Sequence, residues 1–306
     1  MMTSFKSIRS ALYGLVFSAA YFLLNTTSSS GRNIGFLYAL EKDFDALKTH
    51  SSSQPITHRI GHRKIIQFDL FGHRIYAVKM RSGIAASAIS TEALLARFKM
   101  DLVFSTGVAG GIGPDISTGQ WTEVTSVIAY QKGQFSEAGF TVSPSSTFAW
   151  SSLRESDFRP PAAWREVART TAASGEAFIA SNSKRKELHD TFEAEIVEMN
   201  LFGVVAACEN HQRPHYHFRI ISDFADEKAA ATFKRFVDAY RGEGGNHLAE
   251  LIRGLPPDTT NPLAYPNLKE LLSPPSSKEP GSTPEPASGE TPEKKTLIER
   301  KRHALR

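Results

Sequence analysis

Short continuous apolar runs of strand length alternate with amphipathic helical stretches through the middle of this chain, and few architectures accommodate that rhythm. The runs are IGFLYAL (34–40), DLVFST (101–106), EIVEM (195–199) and FRIIS (218–222). A strand with one wet face alternates apolar and polar residues, so unbroken runs suit strands covered on both faces. Between them, Ile84, Ala88, Leu95 and Phe98 fall on one helical face, as do Phe233, Phe236, Val237 and Tyr240 in the helix before the C-terminal tail. This pattern predicts an α/β sheet with helical covers. KIIQFDLFGHRIYAVKM (64–80) reads instead as two strands joined at Phe71-Gly72-His73, a hairpin within the same sheet.

The rhythm stops on both sides. Residues 1–31 hold no acid, carry Lys6 and Arg9 ahead of an apolar run from Ala11 to Leu24, and end in NTTSSSG. That is the layout of a secretory signal, and an acid-free, Ser-rich segment also suits a transit peptide. The run is short for a bilayer span, which needs roughly 20 apolar residues. A wrongly chosen start codon is the plain alternative. Export or organelle targeting is therefore expected if the segment acts, and a cytoplasmic location otherwise, with membrane contact only through this segment if it stays uncleaved. From about residue 257 onward the chain changes again: the stretch PPSSKEPGSTPEPASGETPEKK (274–295) is rich in Pro, Ser and Glu with almost no large apolar side chains, so a disordered tail is expected. The division is thus a targeting-like segment (1–31), an α/β domain (32–256) and a tail (257–306).

The 306-residue chain is 41% hydrophobic and 22% charged, enough apolar material for a sizeable core. A net charge of +4 with no basic, aromatic-interleaved stripe in the middle argues against a nucleic-acid partner. Cys208, the single cysteine, excludes an intrachain disulfide or a cysteine metal cluster and reads as a buried small hydrophobe. His215 and His217 share one strand face and would suit a metal, but no third ligand stands nearby, so neither metal nor cofactor is expected.

Ligands of open α/β sheets sit outside the carboxyl ends of strands. At those ends the chain places Leu40-Glu41-Lys42-Asp43, Arg81-Ser82-Gly83, the glycine-rich Thr106–Gly113 stretch, Met199-Asn200 and Ser222-Asp223. The glycine stretch matches neither the dinucleotide fingerprint nor the P-loop. Taken singly, Asp43 and Asp223 read as helix caps.

Taken together, IGFLYALEKDFDAL, SGIAASA, STGVAGGIGPDISTG, SGEAFIAS, IVEMN and ISDFAD resemble, in order and spacing, the nucleoside phosphorylase/nucleosidase superfamily, and most of all the 5′-methylthioadenosine/S-adenosylhomocysteine nucleosidases. The resemblance spans about Asn33 to Leu251. It implies a three-layer α/β/α fold with a central mixed sheet and hydrolysis of an adenine nucleoside to adenine and a ribose derivative. It also implies a homodimer. By position, Asp223 matches the acid that protonates purine N7, and Asp43 the carboxylate that activates water. Phe178 matches the ring stacked on the purine, and Ile179 the backbone that reads the base edge. Met199 matches the methionine beneath the ribose and Ser82 the serine near the sugar. Leu40 and Phe233 match apolar residues around the 5′ substituent, and Gly107 lies in the glycine stretch against the ligand. An oxocarbenium-like sugar and a poor purine leaving group require such an acid, and burial is what keeps it protonated.

Three positions depart from the family pattern. Asn200 stands where a second glutamate binds the ribose hydroxyls, Asp43 is one methylene shorter than the usual Glu, and Gln120 replaces an Asp. They keep open a second reading, a nucleoside-binding module of the same fold that is non-catalytic or retuned. Ser105 replaces the arginine with which phosphorylases hold phosphate, which favours water as the acceptor.

Overall fold

The computed structural model describes residues 31–256 except 154–159, 161–163 and 165, so the expectations for the leader (1–30) and the tail (257–306) lie outside the described residues. Strands β1 (Asn33–Tyr38), β4 (His73–Lys79), β5 (Leu102–Thr106) and β13 (His215–Asp223) lie side by side and parallel. β3 (Arg63–Leu70) extends this part antiparallel to β4, and β2 (Ile56–Ile60) pairs antiparallel with β3 at the edge. The β3–β4 hairpin turns at Phe71 (φ 51°) and Gly72 (φ 85°), two successive left-handed residues that match strand twist at a two-residue turn.

On the other side of β13 lie β6 (Val108–Gly111), β12 (Ile196–Glu198), β11 (Ala168–Ser174), β7 (Trp121–Ala129) and β10 (Thr147–Ala149). The order is β10-β7-β11-β12-β6-β13-β5-β1-β4-β3-β2, and β7 also pairs with β13. The mixed sheet therefore curls until β7, β11, β12, β6 and β13 close a ring. A separate hairpin joins β8 (Gly133–Ser136) and β9 (Gly139–Val142).

Two layers of helix cover the sheet. On one face, α1 (Glu41–Lys48) and α6 (Glu243–Arg253) bury Phe44, Leu47, Leu248, Leu251 and Ile252 against Ile34, Phe36, Leu102, Phe104 and Phe218. On the other, α2 (Ile84–Leu95) and α4 (Leu201–Asn210) bury Leu94, Leu201, Val204 and Val205 against Leu37, Val78 and Val103. Neighbours Leu102 and Val103 point into opposite layers, which is why the strand is apolar throughout. Two further helices, α3 (Asn182–Phe192) and α5 (Ala229–Ala239), flank the ring.

The expected α2 face is displaced. Its buried residues are Ser87, Ser90, Thr91, Leu94 and Leu95, whereas Ile84 and Ala88 are half-buried. The cause is close packing on α4: a Cβ at Gly203 would lie 2.0 Å from the Ile84 carbonyl, so only small side chains fit between the helices. The helix expected before the tail is α5, and α6 comes after it.

Candidate active site

The strand carrying the expected acid is buried along its whole length and ends in an irregularity. Against β6, Ile221 pairs with Ala109 and Asp223 with Gly110, leaving Ser222 as the extra residue of a bulge. Bulges re-aim side chains. Here the bulge turns the Asp223 carboxyl to a place where it is 2% exposed, with Ser222 Oγ donating to Oδ2 at 2.7 Å and Ala225 N to Oδ1 at 2.9 Å. Burial raises its pKa above the ordinary carboxylate value; the Ala225 and Ser222 hydrogen bonds oppose the rise and Asp226 adds to it. A Cβ at Gly110 would stand 3.1 Å from Oδ1, so the glycine admits the carboxyl. Within the glycine-rich stretch, Val108–Gly111 form strand β6, whose bare backbone makes one wall of the site.

Asp223 opens on a cavity of about 270 Å³. Leu40, Ser82, Gly107, Phe178, Ile179, Met199, Asn200 and Phe233 all line it, together with Glu198, Arg219 and Ser222. Phe178 stands at the mouth, 46% exposed, with its ring edge-on to Phe233 at 5.7 Å between centroids. An exposed phenyl beside a buried acid is the arrangement that a flat heterocycle would cover.

Glu176 ties the Phe178 segment to the Ser82 side of the cavity. Its Oε1 accepts from the N–H groups of Ile84 (2.8 Å) and Ala85 (3.3 Å) at the start of α2, just after Ser82. Gly83 between them has φ 104°, and a Cβ there would meet Glu176 Oε2 at 2.4 Å.

Asp43 is placed differently from the expectation. It is absent from the cavity wall and 1% exposed, with Oδ2 accepting from Thr106 Oγ1 at 2.8 Å and Oδ1 from Tyr240 at 2.5 Å. An aspartate in the first turn of α1 reaches one methylene less far than a glutamate, and both its oxygens are engaged behind the wall. Burial raises its pKa, against the Tyr240, Thr106 and Gly245 hydrogen bonds that lower it. Glu41 does not line the cavity either; it pairs with Lys79 at 2.8 Å. Asn200 lines the cavity, and its Nδ2 donates to the Arg81 carbonyl at 2.5 Å. Gln120 closes a turn onto Ser117 N at 2.8 Å.

Sequence reasoning missed the ion pair in the wall. Arg219 Nη2 lies 3.2 Å from Glu198 Oε2, with both side chains almost wholly buried. Glu198 also accepts from the N–H groups of Asn200 (2.8 Å) and Leu201 (2.9 Å), the opening amides of α4. The signal was an arginine inside the apolar run FRIIS: a charge in a strand buried on both faces needs a partner. Arg219 runs beside Gly107, where a Cβ would come 3.2 Å from Ala39 Cβ and into ordinary contact with Arg219 Nε at 3.6 Å. Arg219 is the sole cation among the lining residues, and Glu198 takes its charge. Ser105 lies behind this pair, not on the wall.

With that geometry in hand, known proteins supply a match. The family model for the phosphorylase superfamily matches residues 33–253. The 5′-methylthioadenosine/S-adenosylhomocysteine nucleosidase of Haemophilus influenzae (strain PittEE) is 27% identical over 234 residues, covering 72% of this chain and 98% of that protein. Among solved structures, the nucleosidase of that name from Neisseria meningitidis, in complex with methylthio-immucillin-A, aligns with a TM-score of 0.64 at 24% identity over 73% of this chain and all of that one. The futalosine hydrolase of Helicobacter pylori aligns with a TM-score of 0.65 at 20% identity over 74% of this chain and all of that one. At these identities the structural matches establish the fold.

Proposed function

The chain belongs to the phosphorylase superfamily, and from that premise we propose that it is an N-glycosidase that hydrolyses methylthioadenosine, S-adenosylhomocysteine or a related adenine nucleoside. The observation that carries this reading is the Asp223 carboxyl, buried at a bulge on a cavity, with its pKa raised by that burial. The C1′–N9 bond breaks with its electron pair leaving on the purine, and Asp223 supplies the proton to N7 that makes the purine a competent leaving group. Water adds to the oxocarbenium-like C1′ and releases the proton that restores the acid. Phe178 covers the base, Ile179 borders its edge, Met199 underlies the ribose, and Leu40 and Phe233 enclose the 5′ side. Ser82 and Asn200 meet the sugar hydroxyls.

Water rather than phosphate fits the charge balance, because the lining cation is already neutralised by Glu198. Asp43 acts in this scheme from behind the wall, holding the end of β5 through Thr106. Free adenine measured on the purified full chain, with and without phosphate, tests the proposal. Phosphate-independent release supports it, and phosphate-dependent release overturns the choice of water.

A second reading, a nucleoside-binding module without turnover, is favoured by one observation: the carboxylate assigned to the water is tied to Thr106 and Tyr240. Tight binding of an adenine nucleoside with no adenine release would select it.

The homodimer belongs to this proposal as well. Phe135 (82% exposed) and Phe140 (39%) meet as tilted rings 4.9 Å apart between centroids on the β8–β9 hairpin, an apolar surface suited to a second copy. Sedimentation of the full chain and of Phe135→Glu tests it: a dimer that Phe135→Glu dissociates supports the hairpin contact, and a monomeric parent removes it.

A further inference from the structure

Behind the cavity wall, four buried side chains and the partly buried Glu209 form a continuous line. Arg219 Nη1 donates to Ser105 Oγ at 3.2 Å, Ser105 Oγ and His217 Nδ1 are 2.8 Å apart, His217 Nε2 and His215 Nδ1 are 2.8 Å apart, and His215 Nε2 is 3.1 Å from Glu209 Oε1. Ser105 and His217 face one another across β5 and β13. The ring of Trp150 packs on both imidazoles, at 5.2 and 5.3 Å between centroids.

Proton placement along this line is determined. A guanidinium only donates, so Ser105 accepts from Arg219. The Ser105 hydroxyl is fully buried and has one other partner, so its single proton must go to His217 Nδ1; otherwise it would be left unsatisfied. His217 Nδ1 is then an acceptor, which leaves the proton on Nε2 and makes His217 the donor to His215 Nδ1. By the same step His215 carries its proton on Nε2 and donates to the Glu209 carboxylate. Every bond points one way, from the Arg219 cation to the Glu209 anion, through two neutral histidines. Burial, then His215 and Arg219, hold His217 well below its ordinary pKa, in keeping with a neutral ring.

The line ends at the site. Of the five guanidinium N–H groups, those on Nη1 go to Ser105 and to the Phe218 carbonyl (2.8 Å) and one on Nη2 goes to Glu198. The Nε–H and the second Nη2 proton have no hydrogen-bond partner among the described residues, on a side chain that lines the cavity. We propose that His217 and His215 are positioning residues: through Ser105 they anchor one edge of Arg219, so that its remaining N–H groups are held toward the sugar or the water of the bound nucleoside. This rests on the glycosidase reading. Aligned donors in a buried line polarise one another, which strengthens the Ser105–Arg219 end.

Two measurements on the full chain test this. ¹⁵N-detected imidazole spectra, assigned through His217→Asn and His215→Asn, are expected to show both rings as neutral Nε2–H tautomers at neutral pH. An Nδ1–H tautomer or an imidazolium at His217 overturns the chain direction. Adenine release by Ser105→Ala, His217→Val and the double variant is expected to fall about tenfold in kcat with KM within about twofold, the double being no slower than the slower single. Additive losses, or a Ser105→Ala enzyme as fast as its parent, overturn the positioning role. If His217→Val does not fold, the Ser105→Ala kinetics and the tautomer spectrum decide by the same criteria. A parent chain that releases no adenine overturns the glycosidase reading and the positioning role resting on it, while the tautomer spectrum still judges the direction of the line.

Discussion

Tyr240 donates its hydroxyl to Asp43 at 2.5 Å, and the same phenolic oxygen accepts the backbone N–H of Gly244 at 2.7 Å. One side chain thereby fastens the start of α6 to α1. Tyr240→Phe leaves a buried amide and a buried carboxyl each one partner short, an expected cost of roughly 1–3 kcal/mol in urea unfolding. Adenine release per folded molecule should change little. A variant that kept its stability but lost turnover would return Asp43 to a role at the water.

Burial lifts the Asp43 carboxyl above its ordinary pKa, so the folded chain binds that proton more tightly than the unfolded one. Its contribution favours the fold below the unfolded value and is withdrawn as pH rises through the raised one. Asp43→Asn, which holds no titrating proton, should show a flatter loss of stability with rising pH than the parent. Equal slopes in paired denaturant titrations would refute this.

The same sign governs Asp223 in catalysis. As a proton donor with a raised pKa it is competent on the acid side, so kcat should decline as pH rises through that value. Asp223→Asn is expected to lower adenine release on the order of 10²–10⁴-fold while still binding nucleoside. A profile without an alkaline limb, or an active Asp223→Asn, would remove it as the acid.

Phe178 is half out in solvent, so Phe178→Ala should leave thermal unfolding almost unmoved. Loss of the stacking surface should raise KM about tenfold, a shift near 1.4 kcal/mol. Phe178→Trp should restore it. Unchanged KM in Phe178→Ala would place the base elsewhere.

Arg219→Met strands the Glu198 carboxylate in the wall, an expected loss of about 3–5 kcal/mol. Adding Glu198→Gln removes the uncompensated charge and should recover a large part of that stability, though not the activity. If the double variant were less stable than Arg219→Met, the two charges would not be acting as a pair.

What was legible in the sequence depended on who supplied each residue's partners. β1, β5 and the hairpin at Phe71-Gly72 were readable because burial on both faces, or a turn, leaves a local signature. Helix α6 was not, since Gly244-Gly245 reads as a helix breaker. Both glycines exist for the crossing with α1, where a Cβ at Gly245 would strike the Asp43 carbonyl at 2.0 Å. The cavity-lining set was readable by resemblance, since Asp223, Phe178, Met199 and Ser82 sit in distinctive short motifs. The turning of Asp43 toward Tyr240 was not, because its partner lies 197 residues away. The Arg219–Glu198 pair showed only as an arginine out of place in an apolar run.

In the proposed reading, the Glu176 clasp joins the two stretches of chain that meet opposite ends of the nucleoside. Like the halves of a hinge pinned at one point, they cannot settle independently: whatever seats the heterocycle also stiffens the cradle for the pentose. Free adenine and free ribose together should therefore hold less firmly than the intact molecule.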